Sequence, residues 1–190
     1  MINFLSEALS TFKSEPEIII ETPKALSSNA LVELCDATLE TINSQNGFSI
    51  GFAKIYNTDK NMLEKYFKGV MLVPERQLII AKFDGVIAGS IQLVKSHPSY
   101  ETMSFACSVD NHFVVPWARG YGIAKKLLEF AENEARKLGY SVIKLSVREN
   151  RTAAISLYES KGYTKWGVLP KYEIVDGKII SGHFYYKEIA

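Results

Sequence analysis

Several things are scarce in this chain, and each scarcity excludes something. Only two cysteines, Cys35 and Cys107, occur in 190 residues, too few and too isolated for a disulfide framework or a zinc site. They read as buried free thiols and fit a reducing compartment. Neither sign of charge is in excess: 22 Lys and Arg stand against 21 Asp and Glu, a formal charge of +1. That removes the electrostatic ground for expecting nucleic acid or a membrane surface as partner. No apolar run approaches the length needed to cross a bilayer, and the opening Met1 to Glu7 has no basic leader and acquires an acid early, unlike a secretory signal. The expected location is cytoplasmic. Repeats, linkers and low-complexity tracts are also missing, and the first eighty residues lack the clustered acids that a polyamine or aminoglycoside site displays.

What is present suits one domain over residues 1–190, with 47% hydrophobic and 23% charged residues. A chain of this length buries roughly 70% of its unfolded surface and needs no disulfide or metal to hold it. The order of apolar periods gives the elements. Ile2, Leu5, Leu9 and Phe12 share a helical face within residues 1–15. Glu17 to Glu21 reads as a strand, and Ser27 or Ser28 caps a helix with the stripe Leu31, Leu34, Cys35, Thr38, Leu39 and Ile42. After an aromatic-rich connection over Asn43 to Asn57, Asp59 opens a second helix carrying Met62, Leu63, Tyr66, Phe67 and Val70, a pattern typical of core. Gln77 to Phe83 and Val86 to Val94 form a hairpin about Asp84-Gly85. A strand ending at Val115 follows. A last hairpin turns at Asp176-Gly177, able to pair across a homodimer.

Between these flanks lies Phe113-Val114-Val115-Pro116-Trp117-Ala118-Arg119-Gly120-Tyr121-Gly122-Ile123-Ala124. An apolar run stops at proline, a basic residue and two glycines follow, and Ile123, Leu127, Leu128, Ala131, Ala135 and Leu138 recur at helical spacing. This is strand, tight loop, helix. Glycine lets a ligand approach the backbone, and the first helical turn offers unpaired N–H groups at the positive end of the dipole, so the expected guest is a phosphate or pyrophosphate. A dinucleotide fingerprint is excluded because its third glycine is replaced by Lys125, and a Walker loop because no Gly-Lys-Ser/Thr follows.

The letters that do stand there, Val114-x-Pro116-x-x-Arg119 and Arg119-x-x-Gly122-x-Ala124, resemble the acyl-CoA-binding signature of the GNAT superfamily of N-acetyltransferases. A second element, Asn150-x-x-Ala153-x-x-x-Leu157-Tyr158-Glu159-x-x-Gly162-Tyr163, matches the superfamily's downstream motif at every named position. The resemblance is close over 113–163 and rests on element order upstream of Arg76. It implies a GNAT fold, a twisted mixed sheet of the α/β (α+β) class with helices on both faces, and acetyl-CoA as co-substrate. By position it implies Phe113, Val114 and Val115 beside the pantetheine arm, with the Val115 N–H at the thioester carbonyl. Arg119, Gly120, Tyr121, Gly122, Ile123, Ala124 and Lys125 then fall at the pyrophosphate, and Asn150 at the cofactor or as helix cap. Tyr158 falls at the thiol, acting as acid by hydrogen bond as much as by transfer, since a phenol near ~10 is weaker than a thiol near ~8.5.

An amine acceptor must lose a proton, and the superfamily often takes a carboxylate from the strand before the loop for this. Asp110 and His112 lie there as catalytic candidates. On a regular strand they share a face; a bulge between them separates the two sides. Glu101 and Glu75 are more distant candidates, while His97 and His183 have no metal-ligand spacing. The leading expectation is acetyl transfer from acetyl-CoA to a primary amine by direct attack in a ternary complex; the runner-up is a non-catalytic domain that binds CoA or acetyl-CoA and regulates a partner.

Overall fold

In a computed structural model that describes residues 15–44, 59–96, 99, 101–175 and 177–189, the elements come in the expected order. They are β1 (Ile18–Glu21), α1 (Ser28–Asn43), α2 (Lys60–Leu72), β2 (Arg76–Phe83), β3 (Val86–Val94), β4 (Ala106–Val114), α3 (Ile123–Lys137), β5 (Val142–Arg148), α4 (Thr152–Ser160), β6 (Thr164–Val175) and β7 (Lys178–Glu188). Residues 1–14 of the helix read over 1–15, His97, Asp176 and nearly all of the aromatic connection fall outside the described residues.

Each local start has a cause. Ser27, rather than Ser28, caps α1, its Oγ accepting the Ala30 N–H at 3.2 Å, and the Asp59 carboxylate accepts the Met62 N–H at 2.7 Å to open α2. Asp84 and Gly85 turn with φ of 49° and 83°, the two left-handed residues that a tight hairpin matched to strand twist requires. Asp84 also holds β1 in place: its side chain accepts the Glu17 N–H at 2.8 Å and its own N–H donates to the Glu17 carbonyl at 2.9 Å.

The sheet order is β1-β2-β3-β4-β5-β7-β6, and every neighbouring pair is antiparallel except β4 with β5. Helices cover both faces. Adjacent residues of β2 prove it, because successive strand side chains point to opposite sides: Arg76 bonds Gln92, which bonds Tyr66 of α2, whereas Gln77 bonds Glu134 of α3. Ile123, Leu127, Leu128, Ala131 and Ala135 of α3 are buried against the sheet, each large one contributing about 1.5–3 kcal/mol of transfer free energy. Leu138, expected on this stripe, is exposed, since the helix ends there before the left-handed Gly139. Both cysteines are buried and free, and burial pushes their thiols up, Cys35 to about 11 and Cys107 to about 12.

Two departures from regularity create the site. β4 and β5 pair only through Ala106–Ser108 and Val142–Lys144; past those residues the two strands run on without shared pairs and leave a V. On its other edge β4 carries a bulge: Gln92 lies opposite Asp110, but Ser90 lies opposite Phe113, so one extra residue is accommodated, and Asn111 takes φ 49° to do so.

Candidate functional site

The V between β4 and β5 opens onto a cleft of ≈ 660 Å³ walled by the end of β4, the loop after it, the first turn of α3 and the inner side of α4. The chain leaves β4 through a short 3-10 turn at Pro116–Ala118. It then takes left-handed conformations at Gly120 (φ 87°) and Gly122 (φ 77°), and Gly122 is the N-cap of α3. The first bond of the helix is donated by Lys126 to the Gly122 carbonyl at 3.0 Å. The N–H groups of Ile123, Ala124 and Lys125 therefore precede the helical ladder at the positive end of the dipole, an arrangement that favours an anion.

Most of the sequence-derived cofactor residues meet here: Phe113, Val114, Arg119, Gly120, Gly122, Ile123, Ala124, Lys125, Asn150 and Tyr158 all line the cleft. Three placements need correction. The Val115 N–H does not face the cleft; it donates to the Ala88 carbonyl of β3 at 2.9 Å. Alternation along the strand then turns the backbone of Val114 toward the V, where its carbonyl accepts Arg119 Nε at 3.1 Å. Tyr121 stands outside the wall, its ring edge-on to Phe83 with centroids 4.8 Å apart. Asn150 is not the cap of α4; that position is taken by Arg151, which makes no side-chain cap bond.

Tyr158 is buried in the cleft wall, its ring near those of Tyr163 and Tyr185 at 5.8 and 6.5 Å between centroids. Its hydroxyl lies 3.1 Å from His112 Nδ1, and His112 Nε2 lies 3.0 Å from the Ala124 carbonyl of α3. Burial raises the Tyr158 phenol above its usual range and lowers His112 to about 4.

Because of the bulge, Asp110 does not share this face. It belongs to the α2 side, 3.6 Å from Arg76. There Arg76 Nη1 donates to Gln92 Oε1 at 2.8 Å, the Gln92 amide donates to the Tyr66 hydroxyl at 2.9 Å, and the Asn111 amide bonds the same hydroxyl. Burial raises the Asp110 carboxyl and Arg76 partly opposes it. Glu101 sits on the exposed turn before β4, away from the cleft. Arg76, Gln92 and Tyr66 are polar partners that sequence reasoning missed. They lie on three elements with no common spacing, and Tyr66 fitted a core stripe. Arg151, also missed, lines the cleft; its place directly after Asn150, at the mouth of a helix, was the available signal.

A family model of the acetyltransferase (GNAT) family matches residues 39–163. An uncharacterised N-acetyltransferase in the hisH-hisA intergenic region of Azospirillum brasilense is 38% identical over 135 residues, which cover 71% of this chain and 78% of that protein. An N-acetyltransferase structure from Staphylococcus aureus Mu50 superposes with a TM-score of 0.74 at 16% identity, covering 92% of this chain and 99% of that one. The Salmonella typhimurium protein yncA, solved with acetyl-CoA, superposes with a TM-score of 0.70 at 16% identity over 91% of this chain and 94% of its own. With the V between β4 and β5, the glycine loop at the head of α3 and the family match in agreement, the chain belongs to the acetyltransferase (GNAT) family and is an N-acetyltransferase.

Proposed function

We propose that this protein transfers the acetyl group of acetyl-CoA to a primary amine by direct attack in a ternary complex, with Asp110 as the base and Tyr158 at the thiol. The observation that carries the reading is the bulge at Asn111, which turns Asp110 and His112 to opposite sides of the sheet where β4 parts from β5. The pyrophosphate rests on the first turn of α3, with charge from Arg119 and Lys125, and the pantetheine arm follows the open backbone at Val114. The amine enters from the α2 side, where Asp110 stands.

The chemistry then follows from the placement. The ammonium first gives a proton to Asp110, a carboxylate made more basic by burial. The nitrogen lone pair attacks the thioester carbon, the attacking nitrogen sheds its second proton to solvent as the tetrahedral oxyanion collapses, and the C–S bond breaks to leave the neutral amide and a thiolate. The phenol of Tyr158 stabilises the departing sulfur chiefly by hydrogen bonding, because its raised pKa opposes full transfer. Holding donor and acceptor in one geometry supplies the remaining acceleration.

The test is release of free CoA from acetyl-CoA across a mixed panel of amines, amino acids and peptides, beside acetyl-CoA binding by calorimetry. Amine-dependent release supports the reading and names the acceptor class. Tight binding with no release from any acceptor favours a regulatory, non-catalytic domain, and no binding overturns both.

A further inference from the structure

We infer that His112 is the positioning residue for Tyr158, a tautomer-locked imidazole that fixes the phenol at the cleft and takes no part as a base. The inference rests on the proposed place of Tyr158 at the thiol and goes beyond it, because the role of the histidine follows from its own bonds.

The tautomer can be assigned from the partners. A backbone carbonyl only accepts, so the nitrogen facing the Ala124 oxygen at 3.0 Å, Nε2, carries the hydrogen. The ring is neutral at ordinary pH because burial holds its pKa near 4. Nδ1 therefore has only a lone pair to offer, and the contact at 3.1 Å is a hydrogen bond donated by the Tyr158 hydroxyl. Both nitrogens are spent. Neither is able to take a proton from an incoming amine without breaking a buried bond, and the bulge puts the ring on the α3 side of the sheet, opposite Asp110.

What the arrangement does is set two degrees of freedom of Tyr158. The ring is held by Tyr163 and Tyr185, and the O–H torsion is held by Nδ1. In the resting cleft the phenol hydrogen points at the imidazole. Negative charge developing on the departing sulfur offers a stronger, charge-assisted acceptor, so the hydrogen turns from nitrogen to sulfur when the C–S bond breaks. The other end of the chain is the carbonyl of Ala124, whose own N–H belongs to the anion-binding turn. His112 thus ties the phosphate end of the donor site to its thiol end.

Two readouts test this, one of which needs no acceptor. Long-range proton–nitrogen NMR of the imidazoles should show His112 as the Nε2–H tautomer, unchanged from pH 5 to 8, with an Nδ1 shift that moves in Tyr158→Phe. An imidazole that titrates between those pH values, or a shift indifferent to Tyr158→Phe, overturns the inference. The kinetic readout uses His112→Phe, which keeps a flat ring and loses both bonds. It is expected to lower kcat about tenfold, the scale set by losing the one bond that orients the phenol, with KM for acetyl-CoA unchanged. The double variant His112→Phe/Tyr158→Phe should be no slower than Tyr158→Phe alone, because the two act as one unit. Additive losses, or wild-type turnover in His112→Phe, overturn the inference. His112→Gln, which keeps a donor for Ala124 and an acceptor for the phenol, should recover part of the rate and so separate positioning from damage to the fold. Absence of any amine-dependent CoA release by the wild type would instead count against the proposed function and leave the NMR result standing.

Discussion

The two sides of β4 at the bulge differ in almost every physical respect. On the α3 side His112 and Tyr158 are enclosed, uncharged and bonded to each other, and burial moves each pKa further from neutrality. On the α2 side Asp110 is half exposed and paired loosely with Arg76 at 3.6 Å. One strand serves both because a single left-handed residue, Asn111, reverses the alternation between them. Under the proposed roles of Asp110 and Tyr158, the lesson is that proton removal and thiolate stabilisation need opposite surroundings. A base has to stay ionised and reachable, while a phenol that stabilises by hydrogen bond gains from exclusion of water. A regular strand would place both candidates on one face and give them one environment.

Variants on either side test this contrast, beginning with the largest effect. Gly122→Glu puts a carboxylate at the anion loop and a side chain where φ is 77°, and should lower acetyl-CoA affinity by more than about 100-fold, read by calorimetry. Retained affinity would remove the loop from the donor site. Asp110→Asn should lower kcat/KM about 100-fold at neutral pH, the usual scale of a lost general base, with acetyl-CoA affinity unchanged; equal activity at all pH values would give the base role to another group.

Tyr158→Phe should lower kcat about tenfold and leave donor affinity intact, since what is lost is one hydrogen bond to sulfur. A drop in affinity with kcat unchanged would make Tyr158 a wall residue only. The smallest effect is a shift rather than a loss. Arg76 favours the ionised form of Asp110, so Arg76→Ala should raise the Asp110 pKa and move the acidic limb of the kcat/KM profile upward, by less than about one pH unit for a partly exposed pair. A limb that stays in place would separate Arg76 from the titrating group, and a limb that moves down would contradict the sign of the pairing.

Much of the proposed donor side was legible in the chain because its causes are local. Proline stops a strand, glycine permits a left-handed turn, and a helix beginning after Gly122 exposes N–H groups in whatever fold contains it. The second motif brought Tyr158 to the same cleft. Errors arose where a neighbouring strand intervened. Val115 lost its expected role because β3 claims its N–H through Ala88, and Tyr121 left the cleft because Phe83, at the far end of β2, offers its ring a partner. Neither neighbour is visible from the motif itself. The acceptor side was the least legible, since Tyr66, Arg76, Gln92 and Asp110 come from four elements and meet only after the sheet has formed.

By itself the sequence determined the order of the elements, the hairpin at Asp84-Gly85, the helices α3 and α4 and the anion loop, all of which depend on residues close together in the chain. Only the tertiary structure decided which faces Asp110 and His112 take and which backbone amide opens onto the V. It also decided that the imidazole bonds the phenol. The physical reason is the bulge: strand register is a property of two chains paired together, and one extra residue in β4 against β3 sends every later side chain to the other side of the sheet.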